Sequence, residues 1–218
     1  MTAKPTQSAA AGLNFRGDGL VGATARMAII VIATMNLAPT LPAAPPFLDT
    51  CAECHGARGM GGHDPMVPVI AGIPAGHVEE AIFAYVDGAR NCVRVPRMCS
   101  TVSVLSDVEI AEIAEYFAGQ VREPSNETFD ASLAAEGARL HEAHCARCHW
   151  PPDRDGVEFA VGIPLHGQKS AYIRFALEAY ASGDREALVP AMADAIQALK
   201  PGDLGALVNY YSSYRPTE

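Results

Sequence analysis

From about residue 46 onward, apolar residues recur at helical spacing, and no stretch keeps the two-residue rhythm of a half-buried strand. The run SLAAEGARLHEAHCARCH (132–149) shows the helical pattern before its cysteines. One helix is predicted to open near Ala75 and end at Gly88, and another to open near Ser170 and end at Gly183. Glycine is favoured there because it can adopt the positive φ that closes a helix. The stretch SDVE (106–109) offers Ser106 as a cap and, three residues on, Glu109 to reach back. Pro201 is placed as for the first turn of a last helix. The expected fold class is all-α.

The pattern comes twice. Tyr85, Gly88 and Arg90 return 95 residues later as Tyr180, Gly183 and Arg185. VPRM (95–98) returns 94 residues later as VPAM (189–192), Leu105 as Leu199, and EYF (115–117) as NYY (209–211). This period is too long for a solenoid repeat. It marks a tandem copy of one unit, giving a first domain over 45–119, a linker over 120–130 that is polar and broken by Pro124, and a second domain over 131–218.

Residues 1–44 read differently. Lys4, Arg16 and Arg26 precede the uncharged MAIIVIATMNLA (27–38), and the small residues of LPAAPP follow. That order is the order of a secretory signal, with cleavage expected near Ala43 or Ala44. A run of about 12 apolar residues is shorter than the roughly 20 a spanning helix needs. Export to the periplasm is therefore expected, without stable membrane insertion after cleavage; an uncleaved anchor is the alternative. The net charge is −9, and Lys and Arg are nowhere clustered, which speaks against nucleic acid as a partner. Aromatic residues make up only 7%, so two small domains would have thin cores and would gain from a cofactor that fills them.

The chemistry lies in CAECHGARG (51–59) and its echo CARCHWPPD (145–153). In a helix, cysteines at i and i+3 and a histidine at i+4 share one face. Two thiols so placed can add to the vinyl groups of a haem while the imidazole reaches its iron, and this pentapeptide is the c-type attachment signal. Zinc knuckles and dithiol redox pairs use similar cysteine spacings. Two copies in matching helical units favour two covalently bound haem c groups, on Cys51 and Cys54 with His55, and on Cys145 and Cys148 with His149.

A second axial ligand follows from a distance along the chain. His55 lies 43 residues before Met98, and His149 lies 43 residues before Met192. A methionine thioether binds haem iron and raises its potential, so Met98 and Met192 are the candidates; Met60 and Met66 have no counterparts. His63, His77, His141, His144 and His166 do not recur either, and are read as surface or supporting residues. Pro68 is a candidate to offer its carbonyl to His55, and Pro164 is the less secure match for His149. Cys92 and Cys99 bracket Met98 in the first unit only. Export favours a disulfide between them, with two free buried thiols or an intersubunit bond as the other readings.

These features resemble a diheme cytochrome c built from two class-I-type domains, over roughly residues 46–218. Within that class the sequence looks most like the diheme subunit of flavocytochrome c sulfide dehydrogenase. The closer match is carried by EYFAGQVREPSNETFDASLAAEGARLHEAHCARCH (115–149), GQKSAYIRFALEAY (167–180) and NYYSSY (209–214). The resemblance implies a flavoprotein partner carrying FAD, from which electrons would pass singly to a soluble cytochrome or similar acceptor. It implies no catalytic residue in this chain. The Cys92/Cys99 pair has no place in the family pattern. A free-standing diheme shuttle between a respiratory complex and a terminal oxidase is the alternative. A catalytic haem enzyme, such as a small peroxidase or a thiosulfate-oxidising enzyme, would need an open iron position, which Met98 and Met192 argue against.

Overall fold

A computed structural model describes residues 45–215. The expected leader over 1–44 lies outside the described residues. The described chain is helical, and its only β-type pairings are two isolated bridges. In the first half α1 (Leu48–His55) is followed by α2 (Ala75–Val86), α3 (Pro96–Val102) and α4 (Asp107–Ala118). In the second half come α5 (Ala131–His144), a 3-10 turn (Val157–Phe159), α6 (Ser170–Ser182), α7 (Pro190–Gln197) and α8 (Asp203–Ser212).

Each half closes around its last helix. In the first, α2 packs on α4 and buries Val78, Ile82, Ile110, Ile113, Ala114 and Phe117 together with Leu48 and Val102. In the second, α8 takes α5 and α6, and the apolar core is smaller, with Ile173, Leu207, Val208 and Tyr211. Each such valine, leucine, isoleucine or phenylalanine side chain contributes roughly 1.5–3 kcal/mol by leaving water.

Several helix ends follow from local chemistry. The Ser106 hydroxyl accepts from the Glu109 N–H while the Glu109 carboxylate accepts from the Ser106 N–H, a complete capping box. Ser106→Ala is expected to lower stability by roughly 1 kcal/mol, read as an earlier urea midpoint with an unchanged slope. Gly88 (φ +77°) and Gly183 (φ +81°) stand just past the ends of α2 and α6. Pro201 departs from expectation. It lies in a turn before α8, which opens at Asp203 behind Gly202 in the left-handed region, and the Asp203 carboxylate accepts from the Lys200 N–H at 2.7 Å.

The duplication is visible as geometry. The Arg90 N–H donates to the Ala84 carbonyl at 2.8 Å, and the Arg185 N–H donates to the Ala179 carbonyl at 3.0 Å. Each guanidinium lies over the tyrosine of its own repeat, Arg90 over Tyr85 and Arg185 over Tyr180. Arg90 and Arg185 then pair with each other in an antiparallel bridge. A residue that meets its own counterpart marks a local twofold relation between the copies.

Candidate haem sites

The first motif occupies the last two turns of α1, so Cys51, Cys54 and His55 share a helical face. The second does not lie inside a helix, contrary to the simple expectation. α5 ends at His144, because the Cys145 and Ala146 N–H groups both turn back to the His141 carbonyl, at 2.7 and 2.8 Å. A single helical turn is kept beyond that point by the His149 N–H donating to the Cys145 carbonyl at 2.9 Å. None of the four motif cysteines takes part in a disulfide, all four are half-buried, and burial pushes the Cys51 and Cys145 thiols above the usual range. Cys92 and Cys99 are joined as a disulfide.

Both motif histidines spend Nδ1 in the same way. His55 Nδ1–H donates to the Pro68 carbonyl at 3.0 Å, and His149 Nδ1–H donates to the Ile163 carbonyl at 2.8 Å. Pro164, the weaker sequence match, is therefore not the acceptor. The register is set by glycine rather than proline: Pro68 stands four residues before Gly72, and Ile163 four residues before Gly167. Those glycines fix both loops to the last helix of each half, Gly72 N–H to the Phe117 carbonyl and Gly167 N–H to the Tyr211 carbonyl, each at 2.9 Å. Burial pushes both imidazoles below their ordinary value, which leaves them neutral with Nε2 free to bind a metal. Gly162 lets His149 lie close: a Cβ there would come within 2.5 Å of the ring.

The methionines sit on short helices rather than in loops. Pro96 and Pro190 occupy the first turns of α3 and α7, where a missing N–H costs nothing. Met98 and Cys51 pack against the same first core. Met192 is half-buried on α7, an amphipathic helix that buries none of its residues fully.

This donor set fits a haem of the c type. Each half offers two free thiols, a neutral imidazole with its tautomer fixed by a carbonyl, and a thioether on a short proline-led helix. A bare metal ion is matched less well, since among the described residues no three His, Cys, Asp or Glu side chains converge on one point.

Two histidines that sequence reasoning left at the margin are deeply buried. His141 (5% exposed) pairs through Nδ1 with the Tyr211 hydroxyl at 3.0 Å, and His166 (3% exposed) pairs through Nε2 with the Tyr210 hydroxyl at 3.2 Å. Their rings stack edge to face at 4.9 Å between α5 and α8. Burial lowers His141 to about 4 and His166 to about 3. Folding therefore favours the neutral rings. The unfolded chain binds more protons below its ordinary histidine range, so stability is full above about pH 6.5 and falls as pH drops toward 4 and 3. Urea melts at pH 7 and pH 5 are expected to show the acid loss, and His141→Gln or His166→Gln is expected to flatten that dependence.

No family model matches the chain. It is 32% identical over 155 residues to the thiosulfate dehydrogenase electron acceptor of Thiomonas intermedia strain K12, covering 66% of this chain and 68% of that protein. It is also 32% identical over 145 residues to cytochrome c4 of Pseudomonas aeruginosa, covering 62% of this chain and 68% of that one. The chain belongs to the diheme cytochromes c. The reduced recombinant cytochrome c4 of Pseudomonas stutzeri shares the fold, with TM-score 0.67 over 81% of this chain and 99% of that one at 24% identity. The TsdBA thiosulfate dehydrogenase of Marichromatium purpuratum matches with TM-score 0.63 at 27% identity, over 76% of this chain and 36% of that one. This diheme cytochrome thus carries two covalent haem groups on its two Cys-x-x-Cys-His sites, in the two-domain class-I fold, and its function is electron transfer. Its kinship is with cytochrome c4 and the thiosulfate dehydrogenase acceptors at large, and not specifically with the sulfide dehydrogenase subunit.

Proposed function

We propose that this diheme cytochrome is a periplasmic electron relay that accepts electrons from a dehydrogenase acting on a reduced sulfur compound, with thiosulfate dehydrogenase the best-supported donor. Support for the donor comes from the relatives that are themselves named thiosulfate dehydrogenase electron acceptors. Support for a relay, rather than a catalyst, comes from the ligand pattern: His55 with Met98 and His149 with Met192, each 43 residues apart. When bound, each haem supplies a one-electron iron couple. Cys51, Cys54, Cys145 and Cys148 would tether the two groups. His55 and His149 would bind iron through Nε2 while their Nδ1–H groups hold the rings to Pro68 and Ile163. Met98 and Met192 would each supply a second ligand to their iron, leaving no open position for substrate.

Residues 1–44, read as an export signal, support a periplasmic location after cleavage. Among the described residues no helix is long and apolar enough to cross a membrane. The proposed domain division is 45–119 and 131–218, joined by 120–130. A flavoprotein partner carrying FAD, as in flavocytochrome c sulfide dehydrogenase, is the second reading, favoured by the resemblance over 115–149.

The test is reduction of the purified holoprotein. Thiosulfate with thiosulfate dehydrogenase is expected to reduce both haems. Reduction only by sulfide through a co-purifying flavoprotein would replace this donor with the flavocytochrome. Reduction by neither would leave a free-standing shuttle between a respiratory complex and a terminal oxidase.

A further inference from the structure

The loop that holds His55 in the first half is itself held by a side chain of the second. Gln168 clamps the backbone of Val69 from both sides. Its Oε1 accepts from the Val69 N–H at 2.8 Å, and its Nε2 donates to the Val69 carbonyl at 2.8 Å. Val69 and Gln168 are each 3% exposed, so water does not compete for these bonds. Arg122, from the segment between the halves, adds a second tie, from Nε to the Ala71 carbonyl at 2.9 Å and from Nη1 to the Pro164 and His166 carbonyls at 2.9 and 3.0 Å.

The Val69 N–H and the Pro68 carbonyl belong to one peptide unit. A chain therefore runs from His55 Nδ1–H to the Pro68 carbonyl, through that peptide, and from the Val69 N–H to Gln168 Oε1. Hydrogen bonds in series polarise one another. Drawing on the N–H end makes the Pro68 carbonyl a stronger acceptor, which makes the imidazole a stronger donor to its metal. The second half cannot do the same. There the acceptor is the Ile163 carbonyl, and the peptide's nitrogen is Pro164, which has no N–H. Nor is the tie returned, because the repeat counterpart of Gln168 is Ile73, a buried residue of the first core.

We propose that Gln168 is a positioning residue that tunes the first haem from the second domain, by strengthening the His55 hydrogen bond, and so makes two repeated haem sites inequivalent. The proposal rests on His55 as an iron ligand. Gln168→Met keeps the volume and removes both hydrogen bonds to Val69, along with the one Oε1 accepts from the Lys169 N–H at 3.0 Å. The variant is expected to raise the potential of the first haem alone, by about a tenfold change in its oxidised-to-reduced ratio, the lower end of what partners of a ligating imidazole are worth. The His55 Nδ1–H proton resonance of the reduced protein is expected to move, although residue 168 touches Val69 and not His55. Gln168→Glu, which keeps an acceptor for the Val69 N–H, is expected to restore the wild-type potential in part.

Potentiometric titration and proton NMR of the folded holoproteins decide the matter. Unchanged potentials in Gln168→Met, or equal shifts at both haems, would overturn the proposal. If that variant does not accumulate, the Gln168→Glu comparison with wild type reads the same potential, and a rise at the first haem as large as the tenfold change expected for Gln168→Met would count against it. Failure of ligation is separable: His55 ring protons without the large ring-current displacement of an axial imidazole, in wild type, would remove the ligand and not the tie.

Discussion

Met98→Ala is expected to lower the potential of one haem sharply and to leave the other in place. A thioether favours reduced iron, and axial ligands set haem potentials over a range of roughly 0.8 V, so loss of the ligand is a larger change than any adjustment around it. Met192→Ala is expected to do the same to the second haem. Each variant should show one site passing to high spin while the other stays low spin, by absorption and electron paramagnetic resonance. The double variant should show both changes. An unchanged potential in Met98→Ala would remove this residue from the iron, and the identical 43-residue spacing would lose its meaning. The two sites differ in how much protein backs the proposed methionine ligand, since Met98 packs on the first core while α7 buries none of its residues fully. The second site is thus the one where an added ligand, such as imidazole, should displace the methionine at the lower concentration.

Gly137→Ala is expected to destabilise the second half by about 3 kcal/mol. α5 crosses α8 at this glycine, and a Cβ there would stand 2.1 Å from the Ala206 carbonyl oxygen and 2.7 Å from the Tyr210 Cβ. Both neighbours belong to a helix rather than to a flexible side-chain end, so the helices must separate, and Tyr211 and Leu207 lose their packing against α5 and α6. Helix propensity alone would favour alanine by about 1 kcal/mol; the steric cost outweighs it. Gly205 supplies the contrast. It lies within α8 with nothing near its absent Cβ, and Gly205→Ala is expected to stabilise by roughly 0.5–1 kcal/mol. Urea unfolding of the two variants reads both signs. A neutral Gly137→Ala would mean that the crossing does not depend on this glycine.

What the sequence made legible is what it says twice. The attachment motifs, the methionine spacing and the glycines after α2 and α6 recur, so each copy checks the other. What occurs once is less legible. Arg122 sits in a polar, proline-broken segment whose polarity suggested exposure, yet its guanidinium is buried because three backbone carbonyls receive it. His141 and His166 have no counterparts in the first half, and their partners Tyr210 and Tyr211 come from NYY, which reads simply as the copy of EYF. Matching proline to proline shifts the loop by one residue and hides Ile163, whereas Gly72 and Gly167 hold the register. The second motif's place outside α5 has no sequence signal, since it turns on which carbonyl the Ala146 N–H reaches. The finer family resemblance rested on the stretch around the inter-domain segment, while the motifs themselves are common to the whole diheme class.

Carbon monoxide added to the fully reduced holoprotein asks most directly whether this chain is a relay with both irons closed. The expected result is two haems, two one-electron couples and no appreciable binding at either iron on mixing. Rapid, stoichiometric binding at one haem of the wild-type protein would contradict it, by showing an open position where His55–Met98 or His149–Met192 should leave none.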